Sequence, residues 1–352
     1  MALYVDKHRP SSLDKLDYHA SLTDQLRKMA ASPDFPHLLV YGPSGAGKKT
    51  RIMAVLKEIY GQTVEKLKID QRTFLTPSNK KIEINIVSSN YHMEITPSDV
   101  GSNDRLVIQE LIKEVAQTQQ VDSSAKRSFK VVILNEADTL SKDAQHALRR
   151  TMEKYMTNLR VILCTNSTSR IIGPIRSRCL LVRVAAPSTD EILQVMTKVA
   201  IKEGIHIPDA FGTKIAEMSG GNLRKALLML ETAKVKHYPF SNDHPIPLTD
   251  WENYIKETAK LIVAEQTPKR LQDIRGRLYE LLCHCIAPEV ILKTLMFDII
   301  KLVDVGIVPE IVKMAADYEQ SMRLGSKPIF HLEAFVAKFM ALYKRFLFEL
   351  MQ

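Results

Sequence analysis

The stretch His37 to Thr50 constrains this chain most. An apolar run, Leu38-Leu39-Val40-Tyr41, feeds Gly42-Pro43-Ser44-Gly45-Ala46-Gly47-Lys48-Lys49-Thr50, and apolar residues follow at helical spacing (Ile52, Val55, Leu56, Ile59). A strand, a glycine-rich turn and a helix in that order aim backbone N–H groups at a phosphate, and the lysine reaches the terminal phosphates. The stretch reads as a P-loop in an α/β domain with a parallel sheet, rather than as a surface turn that happens to hold glycines. One position breaks the pattern. The residue after the lysine normally carries a hydroxyl that holds magnesium against the β- and γ-phosphates, and here it is Lys49. Thr50 lies one residue on, about 100° around the helix. A nucleotide is therefore expected to be cradled and its metal poorly held.

A second departure compounds the first. Phe129 to Leu134 is a continuous apolar run, as in a strand buried on both faces, and it ends in Asn135-Glu136-Ala137-Asp138. In a P-loop protein, acids at such a strand end face the nucleotide. The first supports magnesium and the next polarises the attacking water. Asn135 offers an oxygen without the charge that offsets a divalent cation, while Glu136 keeps the base position. For the strand alone, solvated loop acids are an equal reading; the P-loop favours the catalytic one. Arg160 to Cys164 is another buried strand, with Asn166 beyond it either touching a γ-phosphate or forming a turn. Arg178 precedes a strand over Leu180 to Val184, where an arginine marks an exposed turn or acts in trans on a neighbour's nucleotide.

The rest of the chain divides by its punctuation. Tyr4 to Pro10 reads as an extended arm, and a helix fits Ser21 to Ala31. Lys81 to Val87 and Tyr91 to Ile95 read as paired strands, Asp104 to Gln119 as a helix and Gln120 to Ser128 as a loop. Ser141 caps a helix running to Tyr155. Pro187 ends a first domain, residues 1–186. Three short amphipathic helices then form a lid over 187–237, with Asn222 capping the last and Arg224 in its first turn. From 238 to 352 helical periodicity dominates, with breaks at Pro268, Pro288 and Gly325-Ser326 and no catalytic cluster, as in an assembly domain.

The 352 residues carry a net charge of +9 with a pI near 9.2, which favours a polyanionic partner without naming it. Cys164, Cys179, Cys283 and Cys285 have no zinc-ligand spacing, even with His284, so reduced and mostly buried thiols are expected. There is no signal-peptide pattern at the start and no apolar run near ~18 residues. A soluble, intracellular protein with no membrane partner is expected.

Several of these segments, taken in order, resemble a known family. They are Val5-Asp6-Lys7-His8-Arg9-Pro10, the loop Gly42 to Thr50, Asn135 to Asp138, the helix stretch Ala144 to Glu153, Asn166, Ser177-Arg178-Cys179 and Gly221-Asn222-Leu223-Arg224. They resemble the small subunits of replication factor C, the eukaryotic sliding-clamp loader of the AAA+ class. The likeness spans essentially the whole chain, and Lys49 with Asn135 is similar to the branch of that family whose metal positions are degenerate. It implies an AAA+ domain, a helical lid and an all-α collar for oligomerisation. It also implies ATP or ADP as ligand, with Mg2+ weakly held or absent. The implied partners are the other subunits of a heteropentamer, a ring-shaped clamp and primer–template DNA, in replication and repair in the nucleus.

By position, the resemblance puts Val5, Arg9 and Pro10 near the adenine and Gly42, Pro43, Ser44, Gly45, Ala46, Gly47, Lys48, Lys49 and Thr50 around the phosphates. It makes Asn166 sensor one, Arg224 sensor two and Arg178 an arginine finger for the adjacent subunit. Tyr4 and His8 depart from the commoner Trp and Tyr of the arm. Arg105 and Lys113 remain as DNA-backbone contacts, weakened where Gln109 and Glu110 replace frequent arginines. Two other functions stay open: a self-sufficient P-loop ATPase, and a non-catalytic scaffold of a checkpoint clamp loader.

Overall fold

The apolar runs of the sequence become neighbouring strands. In a computed structural model describing residues 2–75, 81–117, 129–241 and 244–350, the strands are β1 (Leu38–Tyr41), β2 (Lys68–Leu75), β3 (Lys81–Ser88), β4 (His92–Ile95), β5 (Lys130–Leu134), β6 (Leu159–Thr165) and β7 (Leu180–Arg183). They form one sheet in the order β2-β3-β4-β5-β6-β1-β7. All pairings from β4 to β7 are parallel, and β2 and β3 continue the sheet antiparallel. Tyr41 registers with Thr165, and Leu134 with both Leu163 and Ile95. The carboxyl ends of β1, β4, β5 and β6 therefore open on one side, where ligands sit in open α/β sheets.

The helices of this unit are α1 (Tyr4–Lys7), α2 (Ala20–Ala31), α3 (Lys48–Tyr60), α4 (Asp104–Gln117), α5 (Lys142–Lys154), α6 (Gly173–Arg176) and three more, α7 (Thr189–Glu203), α8 (Asp209–Met218) and α9 (Leu223–Lys236). Because side chains alternate along a strand, the sheet feeds two cores. Leu39, Val132, Leu134 and Val161 join Val107 and Leu111 of α4 and Leu148 of α5. Leu38, Val40, Val131 and Ile133 join Leu26 of α2 and Ile52, Val55 and Leu56 of α3. Strands β1, β5 and β6 are buried on both faces, which is why their sequences are almost continuously apolar. The expected caps form: Ser141 Oγ accepts from Ala144 N at 3.1 Å, and Asn222 Oδ1 from Lys225 N at 3.0 Å.

Three expectations need correction. The arm is not extended at its start, because Tyr4–Lys7 is a helical turn docked on α9. Tyr4 is buried, its N–H donates to Glu231 Oε2 at 3.0 Å, and its Oη accepts from Lys234 Nζ at 2.6 Å. Strand β2 was not anticipated: it is an edge strand, with Ile69 exposed and Phe74 buried, so the alternation of a half-buried strand is missing. Cys164 and Cys179 are buried as expected, but Cys283 and Cys285 are exposed. The end of the helix expected to reach Gln119, and the loop 120–128, lie outside the described residues.

Residues 247–352 form a second compact unit. It contains α10 (Asp250–Ala264), α11 (Pro268–Cys283), α12 (Pro288–Ile300), α13 (Val308–Leu324) and α14 (Pro328–Leu350). Proline in the first turn starts α11 and α12, where its missing N–H costs nothing. Ile255, Ile274, Leu278, Leu295, Phe335 and Phe339 fill its core. Among the described residues, no helix of the chain is long and apolar enough to cross a membrane.

Candidate nucleotide site

A cavity of about 750 Å3 lies against the glycine loop and the strand ends of the first unit. Gly45 (φ +74°) and Gly47 (φ +80°) hold left-handed backbone that side chains resist. A Cβ at Gly45 would stand 1.7 Å from Asn222 Oδ1, and one at Gly47 2.5 Å from Tyr18 Oη. The loop is also braced from behind. Tyr18 Oη donates to the carbonyl of buried Ala46 at 2.9 Å, and Arg51, 1% exposed, donates to Tyr18 O at 2.8 Å and lies over its ring.

Lys48 lines the cavity and donates to Gly42 O at 2.7 Å, Pro43 O at 2.9 Å and Asn166 Oδ1 at 2.9 Å. Burial holds its pKa below the usual lysine range; the Asp138 carboxylate works against that shift and Arg224 adds to it. Gly42 and Pro43 thus serve through their carbonyls and, with Ala46, do not line the cavity. Val5, Arg9, Pro10, Ser44, Gly45, Gly47, Lys49, Thr50, Asn135, Glu136, Asn166 and Arg224 do. Sites spread from residue 5 to residue 224 are gathered around one space.

The wall that would hold a metal is built differently. Lys49 Nζ lies 2.6 Å from Glu94 Oε2, and the Glu94 side chain is only 5% exposed. Asn135, its N–H bonded to Ile95 O at 2.9 Å, stands at the next strand end. The carboxylates on the cavity wall are Asp17, paired with Lys198, and Glu136, exposed and accepting from Ser98 Oγ at 3.1 Å. An ammonium and a neutral amide therefore occupy the two positions that should present a hydroxyl and a carboxylate to magnesium. This donor set does not fit a divalent cation.

Three further assigned residues fall outside the cavity. Arg178 is exposed, donating to Pro174 O at 2.7 Å and pairing with Glu153 Oε1 at 2.5 Å. Arg105 and Lys113 are exposed on α4.

Comparison with known proteins decides the family. The model for the DNA polymerase III delta subunit matches residues 18–188, that for the RCF1/5-like AAA+ ATPase lid domain 194–235, and that for the C-terminal domain of replication factor C subunit 3 residues 251–347. Replication factor C subunit 3 of Mus musculus is 60% identical over 99% of this chain and 98% of its own length. The subunit 5 of Neurospora crassa is 59% identical over 99% of both chains. This chain belongs to the replication factor C family. Its fold is accordingly an AAA+ P-loop domain with a helical lid and a C-terminal helical domain. A solved structure of Thermotoga maritima RuvB matches at a TM-score of 0.51 with 17% identity, over 77% of this chain and 85% of that one, which speaks for the fold alone.

Within the replication factor C fold, sequence reasoning missed residues that hold the site together across long separations. Tyr18 and Arg51 carry no motif, although an arginine inside an apolar helix face was a visible oddity. Glu203 was equally silent: at the end of α7 it lies 2.6 Å from Lys7 Nζ and 2.5 Å from His8 Nε2, tying the arm to the lid. Those two hydrogen bonds hold the Glu203 carboxyl below its usual range.

Proposed function

We propose that this replication factor C subunit binds ATP or ADP in its cavity, hydrolyses it poorly, and supplies Arg178 to the nucleotide of an adjacent subunit. The assembly is a heteropentamer that opens a ring-shaped clamp and closes it on primer–template DNA in the nucleus. One contrast supports this reading: Gly45, Gly47, Lys48, Asn166 and Arg224 line one cavity, as a phosphate cradle needs, whereas Lys49 at the metal position is paired with Glu94. Glu136 lines the same cavity and orients water for the slow turnover that remains. Arg178 is exposed and absent from its own cavity, as a group acting on a neighbour must be. A net charge of +9 and exposed Arg105 and Lys113 suit sequence-independent contact with DNA phosphates, which weakens with salt.

The test is ATP hydrolysis by reconstituted pentamer with clamp and primed DNA present, comparing Arg178→Ala and Lys48→Ala in this chain. An arginine finger contributes ~10³–10⁵ in rate at the site it serves. Arg178→Ala should therefore abolish turnover at one neighbouring site, and Lys48→Ala should reduce the total only mildly. The reverse ranking would mean that this pocket turns over on its own.

A further inference from the structure

The Lys49–Glu94 pair joins a lysine on the cavity wall to a buried carboxylate behind it. Alternation along β4 turns Met93 toward the core shared with α4 and α5, and His92 and Glu94 toward the opposite face, where α3 packs. A carboxylate buried to 5% exposure needs a counter-charge. His92 does not supply it: burial lowers its pKa and keeps the ring neutral, and its Nδ1 engages Ser89 Oγ at 2.6 Å. Among the described residues, Lys49 is the cation paired with Glu94.

The Lys49 side chain is 43% exposed and lines the cavity. An ammonium has three N–H donors, and Glu94 anchors it from behind, so it presents fixed positive charge to whatever enters. Lys48 and Arg224 add two more cations to the same cavity. A polyphosphate arriving without metal meets these positive side chains. One arriving as its magnesium complex brings a divalent charge into that field, and the Asn135 amide and Thr50 hydroxyl on the cavity wall carry no negative charge to offset it.

We propose that this pocket takes its nucleotide as the metal-free polyphosphate anion and disfavours the magnesium complex, with the Glu94-anchored Lys49 ammonium in the electrostatic place of the metal. The proposal rests on the nucleotide-binding reading above. It makes the sign of the magnesium effect opposite to that of an ordinary P-loop, because magnesium in solution competes with the pocket for the nucleotide.

The experiment is calorimetric titration of ATP into the purified full-length chain, first with a chelator and then with magnesium chloride in excess over nucleotide. The dissociation constant should rise at least about tenfold on adding magnesium. A constant that is unchanged or lower in magnesium overturns the proposal while leaving nucleotide binding intact. Absence of binding in both conditions overturns the nucleotide-site reading itself. The combined substitution Lys49→Thr, Glu94→Gln and Asn135→Asp should reverse the sign, so that magnesium tightens binding. If that variant folds and its response to magnesium matches that of the unaltered chain, the assignment to Lys49 and Glu94 is wrong.

Discussion

Lys48 and Lys49 share a side chain and the first turn of α3, yet they serve different walls of the cavity. Successive helix residues point about 100° apart, which sends Lys48 back over the loop toward Asn166 and Lys49 across to β4. Lys48 touches three neutral oxygens, those of Gly42, Pro43 and Asn166, and any of them can be given up for a phosphate. Lys49 touches a buried carboxylate that cannot be left alone. A charge held by neutral acceptors is available to a ligand; a charge held by a buried counter-ion is first of all part of the fold.

The largest effect that would break this comparison is on stability. Lys49→Ala strands the Glu94 carboxylate and should cost about 3 kcal/mol, the low end for breaking a buried pair because the lysine itself is partly exposed. Denaturant unfolding of the full chain measures it. Replacing both partners with apolar residues, Lys49→Met with Glu94→Leu, should recover most of the loss. A cost for Lys49→Ala below about 1 kcal/mol would place the pair among surface ion pairs and remove the contrast.

Lys48→Ala sharpens the comparison from the other side. Its acceptors sit beside the open cavity where water replaces the ammonium, so stability should shift by no more than about 1 kcal/mol. Nucleotide affinity should instead fall by about 1.5–3 kcal/mol, or roughly 10- to 150-fold, for loss of charge-assisted hydrogen bonds to phosphate. Equal losses of stability for the two lysines would mean that both are structural.

What the sequence revealed follows the range of the interactions involved. The loop, the strand before it, the helix caps at Ser141 and Asn222, and the proline starts of α11 and α12 are set by residues within a few positions of one another, so spacing exposes them. The altered metal wall was visible as two missing ligands at Lys49 and Asn135. Its replacement was not, because Glu94 comes to Lys49 only through the pairing of β4 beside β5. The same holds for Arg51 and Tyr18, joined across 33 residues, and for Glu203, joined to His8 across 195. The break between α12 and α13 was overlooked although its signal is equally local: Asp304 Oδ1 accepts from Gly306 N at 3.4 Å, and Pro309 stands in the first turn of α13.

Asn166 provides the smallest and most discriminating test, because it touches Lys48 and stands at the tip of β6. If its amide only parks the lysine, Asn166→Ala removes one hydrogen bond to a charged group that water can replace. Stability and affinity for ADP and ATP should then all move by less than about 1 kcal/mol. If it also reads the γ-phosphate, the change should separate the two nucleotides: ADP affinity stays within a fewfold, and ATP affinity drops by about 1–1.5 kcal/mol, close to tenfold. Titrating both nucleotides into Asn166→Ala under chelator, where the metal cannot contribute, measures that separation directly. We expect the separation, because a side chain whose sole duty was to hold Lys48 would compete with the phosphate for it.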